Sequence, residues 1–164
     1  MTWNLPLVVT AGVFVLFLLY RLRPAMPGSR KGGAGVALRE AKKRIEAAKD
    51  DAARALALAD AGDACARSVG RTTGAVGYYL RAMRTNPASA ALVERATVAL
   101  ARRPHALESL LWRRLGAEAW TGDREAAART ALSQLVRLYD GPLKNRVRAR
   151  AIDNMLAALP TPKA

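Results

Sequence analysis

The sequence predicts an all-α protein, a single N-terminal transmembrane helix followed by a small solenoid of antiparallel helical hairpins. Three observations carry this expectation. Residues 3–20 are apolar and uncharged. From Val36 to Asn154 the apolar residues recur at three- and four-residue spacing, the period of a helix that buries one face. Hydrophobic residues make up 51% of the chain but aromatics only 5%; alanine fills much of the difference and favours close-packed helices, whereas a sheet draws on Val, Ile and Tyr.

The first element is the run WNLPLVVTAGVFVLFLLY, from Trp3 to Tyr20. A helix of about 18 such residues approaches the roughly 30 Å of a bilayer core. Trp3 and Tyr20 stand at its two ends, where interfacial aromatics are expected. No basic region precedes the run and RLRPAMPGSRK follows it, a pattern unlike a cleaved signal peptide. Arg21, Arg23, Arg30 and Lys31 follow directly, while the N-terminal flank holds no cation. The positive-inside rule then places the N-terminus outside and the bulk of the chain in the cytoplasm. The expectation is a single-pass protein of the inner (cytoplasmic) membrane, anchored by residues 1–23. The same four cations also suit anionic lipid headgroups, at about 1 kcal/mol each.

Residues 24–35, PAMPGSRKGGAG, combine two prolines with four glycines and read as a flexible basic tether. The helical domain is expected at 36–158, with a short disordered tail at 159–164. Its breaks fall at Gly70-Arg71, Asn86-Pro87, Arg103-Pro104, Thr121-Gly122 and Asp140-Gly141-Pro142. They delimit helices of roughly 14–18 residues joined by short turns, so consecutive helices must run antiparallel.

The net charge of +14 is unevenly spread. Residues 21–49 carry nine basic and two acidic side chains, 50–100 six and five, and 101–164 twelve and six. Half of the excess therefore lies beside the apolar run, where it can act on lipid and on topology.

Within 56–139 the hairpins resemble the tetratricopeptide (TPR) family, whose helix-turn-helix unit repeats every 34 residues or about that. Gly70 falls at the inter-helix turn, Ala75-x-x-x-Tyr79 fits the second helix, and Ala82 and Pro87 complete the unit. Trp112-x-x-Leu115-Gly116 matches the opening of a second unit; Ala119 stands where the family has Tyr, and the helix at 88–102 puts the two matches out of phase. The resemblance implies a partner-binding scaffold. The family's carboxylate-clamp variety has Lys and Asn where this chain has Asp60 and Ala64, so binding of chaperone tails is not implied.

Residues suited to chemistry are sparse. His105 is the only histidine and has no acidic partner at a fixed catalytic spacing. Cys65 is the only cysteine, which rules out an intrachain disulfide and suits a buried structural thiol. GSRKGGAG contains glycines and a lysine but lacks the phosphate-loop spacing. No catalytic activity, metal or cofactor is expected. The first function expected is a membrane-anchored adaptor that recruits another protein to the cytoplasmic face. The alternatives are a polyanion binder, for acidic lipid before nucleic acid, or a structural subunit of a larger membrane assembly.

Overall fold

The computed structural model describes residues 33–117 and 119–159. The chain divides into a unit ending at Gly32 and a second beginning at Gly33, to which all described residues belong. These form α1 (Ala34–Ala47), α2 (Asp51–Ala66), α3 (Thr72–Thr85), α4 (Ala90–Leu100), α5 (Pro104–Ala117), a 3-10 turn at Gly122–Arg124, α6 (Glu125–Asp140) and α7 (Arg146–Ala158). No strand occurs among the described residues.

Local chemistry explains where the helices begin and end. Asp50 caps α2 by accepting from the Ala53 amide at 2.6 Å, and Asn145 caps α7 by accepting from the Arg148 amide at 3.1 Å, each satisfying a donor of the first turn. Gly70 and Gly122 take φ of +79° and +64°, where a side chain would be strained. Pro104 opens α5, the one position where its missing N–H costs nothing. The five breaks read from the sequence fall at or between helix ends, with Pro104 the first residue of α5 and Asp140 the last of α6, while the turn between α1 and α2 was not among them.

Each helix packs on the next, and in the middle of the domain alternate helices also meet: α2 on α4, α3 on α5, and α4 on α6. One continuous core results, centred on Tyr79, Met83, Leu100, Leu110, Leu132 and Leu135, all at most 1% exposed. At the two ends the pattern changes: no Cα of α1 comes within 8 Å of α3, and none of α5 within 8 Å of α7.

The expected fold class needs correction. Among the described residues no helix is long and apolar enough to cross a membrane. The longest, α2 and α6, have 16 residues and span about 24 Å; their apolar stripes are spent on the core, and the other faces carry charge. The described residues form an all-helical domain of seven α-helices, more than the small hairpin stack expected behind a single anchor, and, with no membrane-crossing helix among them, the expected single-pass placement in the cytoplasmic membrane is not supported. Residues 1–23 and the interfacial set Trp3, Tyr20, Arg21, Arg23, Arg30 and Lys31 lie outside the described residues.

The helices α2 and α3 approach closely at Gly62. A Cβ built at Gly62 would lie 2.9 Å from Cδ2 and Cε2 of Tyr79, a ring that is fully buried and has nowhere to move. Gly62→Ala is therefore expected to destabilise by about 1–3 kcal/mol through overpacking, against the roughly 1 kcal/mol gain that helix propensity alone predicts. Urea unfolding of both proteins measures the sign; a more stable variant would show that the α2–α3 spacing relaxes freely.

Candidate functional site

A polar clasp joins the first four helices. Asp60 and Asp63 sit one turn apart on α2, on one face. Arg95 of α4 forks between them, with Nη2 2.5 Å from Asp60 Oδ1 and 2.6 Å from Asp63 Oδ2, and Nε 3.0 Å from Asp63 Oδ2. Arg44 of α1 donates to the other oxygen of Asp60 at 2.7 Å, and the Tyr79 hydroxyl of α3 donates to Asp63 Oδ1. Burial pulls the Arg95 guanidinium down, but its bonds to the two carboxylates outweigh this and hold it above its ordinary value.

Burial, and then the bond to Asp63, push the Tyr79 hydroxyl well above the usual tyrosine range. The folded chain thus keeps this proton to higher pH than the unfolded chain does. The stability it contributes is complete below pH of about 10 and is lost as pH rises beyond that. Between about pH 10 and 11 the unfolding free energy should fall more steeply than in Tyr79→Phe, by up to about 1.4 kcal/mol per pH unit. Equal slopes in denaturant titrations would show that the hydroxyl ionises freely in the fold.

A comparable arrangement closes the other end. Tyr139 of α6, 1% exposed, donates to Glu108 Oε1 at 2.5 Å and accepts from Trp112 Nε1 at 3.0 Å. Arg148 of α7 lies over its ring at 5.7 Å and reaches Glu108 at 3.3 Å.

The absent contacts between alternate helices at the ends leave two open clefts. The first, about 670 Å³, runs between α1 and α3 above α2. Ile45, Leu58 and Tyr78 give it apolar surface, and Lys42, Arg54, Arg81 and Arg84 surround this with Glu46 as the one acid. The second, about 410 Å³, lies between α5 and α7 and is mostly apolar, with Trp112, Ile152 and Met155 in its walls. Both are of ligand-binding size, about 300–1,000 Å³.

The residues singled out from the sequence divide between these features. Gly70 forms the α2–α3 turn, and Ala75, Tyr79 and Ala82 bury together along α3 with no exposure. Pro87 follows in the next turn, its carbonyl accepting from Arg114 at 2.6 Å. Leu115 is buried in the same core as that first set, whereas Gly116 is exposed and Trp112, 39% exposed, faces the second cleft. His105 has its side chain 86% exposed, 3.6 Å from Glu108. Cys65 is buried, which pushes its thiol up, with Arg71 and Lys42 opposing. Among the described residues no group of His, Cys, Asp and Glu is placed to hold a metal. Sequence reasoning missed the clasp and the basic cleft. The only local trace of the clasp was the Asp60–Asp63 pair, since Arg95 lies 32 and 35 residues away.

The chain matches no known protein family, no curated protein and no solved structure. The class its fold defines is an all-helical domain compatible with a helical-repeat architecture.

Proposed function

We propose that this domain is a protein-interaction module of the helical-hairpin kind, similar to tetratricopeptide scaffolds, and not an enzyme. The observation that carries the reading is the pair of open clefts formed where alternate helices part at the two ends of a rigid core. A cleft floored by one helix and walled by its neighbours offers a preformed groove for a peptide or helix, so binding need not spend free energy on ordering the receptor. The α2–α3 hairpin, with Ala75, Tyr79 and Ala82 inside and Gly70 and Pro87 at its turns, supports the tetratricopeptide comparison. The tail-carboxylate clamp is not part of the proposal: Asp60 stands at one of its positions, held by Arg44 and Arg95, and Ala64 at the other is buried.

The test places a photo-crosslinking amino acid at Tyr78 or Met155, in the clefts, and at Val69, which is 97% exposed outside them. The full chain, in mild detergent, is expected to crosslink a defined protein from a cleft position, in moderately high salt, and not from Val69. Retention of nucleic acid or acidic lipid alone, lost on adding salt, would replace the module with the polyanion reading.

A further inference from the structure

The α1–α3 cleft holds four cations against one carboxylate, and these cations have little to do within the fold. Arg54 approaches Asp51 only at 3.8 Å, with side chains 49% and 77% exposed. Among the described residues neither Lys42, Arg81 nor Arg84 has a carboxylate within ion-pair distance, Glu46 included. Some arginines elsewhere do meet carboxylates: Arg95 and Arg44 share the Asp60–Asp63 pair, and Arg148 meets Glu108; what sets the cleft apart is that four cations line one groove. An excess of cations converging on one groove marks a surface complementary to an acidic partner.

We propose that this cleft binds an acidic segment of a partner protein, laid in extended form with its carboxylates on Arg81, Arg84, Lys42 and Arg54 and an apolar side chain against Leu58 and Tyr78. The inference rests on the interaction-module reading and names its ligand class. Geometry favours it. Arg81 and Arg84 are one turn apart on α3, with Cβ atoms about 5–6 Å from each other, while same-side residues of an extended strand repeat every 6.6–6.8 Å or about that. The flexible guanidinium stems absorb the difference, and each head can take a carboxylate in a forked bond. The floor also discriminates. Ile45 and Tyr78 are only partly buried beside Leu58, so an apolar side chain can be covered there, whereas a nucleic acid strand uses stacked bases. Tyr78 is the one aromatic in the lining, and Glu46 opposes the dense charge of a phosphate chain.

The test uses the full chain and a fluorescein-labelled peptide DEDLEDE, read by polarisation, with DEDGEDE as the peptide lacking the anchor. DEDLEDE is expected to bind saturably, and Arg81→Gln with Arg84→Gln to weaken it by about tenfold or more. Both sites are exposed, so circular dichroism should show the fold unchanged. Met155→Ala, in the other cleft, should leave binding as it was. DEDGEDE should bind several-fold more weakly; equal affinity would overturn the apolar anchor. Binding that survives the double substitution would overturn the site, and absence of binding by the folded chain would overturn the ligand class; both leave the module reading to the crosslinking result. Oligothymidylate or phosphatidylglycerol vesicles displacing the peptide at lower concentration, and losing affinity in the same double variant, would assign the cleft to phosphate.

Discussion

Tyr79→Ala should lower the unfolding free energy by about 3–5 kcal/mol, and the melting temperature by about 10–20 °C for a domain of this size. The ring is 0% exposed and seats against Gly62 of α2, so truncation leaves a cavity that those two helices can close only by moving together. It also removes the hydroxyl that donates to Asp63. Tyr79→Phe separates the two losses, because it keeps the ring and leaves one acceptor of Asp63 short, at about 1–2 kcal/mol. Calorimetry of the three proteins checks the order. A Tyr79→Ala variant within 1 kcal/mol or so of the parent would mean that α2 and α3 repack without this anchor.

The second large effect concerns the acid that Tyr79 meets. Asp63→Ala should cost about 2–3 kcal/mol, since it leaves the buried Tyr79 hydroxyl without an acceptor and Arg95 with Asp60 alone. The figure is kept below that for a fully buried pair because the side chains of Asp63 and Arg95 are 23% and 34% exposed. A double-mutant cycle with Arg95→Ala should show coupling of about 1–2 kcal/mol between the two positions. Additive losses would mean that the fork is held by its surroundings and contributes nothing of its own. The clasp has a bearing on binding too: it ties α1, through Arg44, to the same pair, and α1 is one wall of the basic cleft.

How far the sequence could be read depended on the range of the interactions involved. Helix limits were legible because their causes are local. A residue that must take positive φ, such as Gly70 or Gly122, or one that cannot continue a helix, such as Pro87 or Pro104, acts on its own neighbours whatever lies across the core. Tyr79 was marked out by the tetratricopeptide resemblance, as the aromatic of Ala75-x-x-x-Tyr79. The charged residues were read less well. Spacing along the chain does not reveal which helix lies opposite, so it could not show that Lys42 lines the first cleft or that Arg148 lies over Tyr139. The clasp depends on Arg95 reaching two carboxylates more than thirty residues earlier, and no periodicity within one helix encodes that.

The apolar run at 3–20 led to an expected membrane-crossing architecture, while the seven described helices form an all-helical domain in which each apolar stripe faces another helix. Composition, helical period and most turn positions could be had from the order of residues, since each follows from steric and burial rules acting within a turn or two. The two clefts and the gathering of cations in the first came from packing. They exist because α1 and α5 fail to reach the helices two places on, and that gap is set by the combined positions of several helices, not by any one of them.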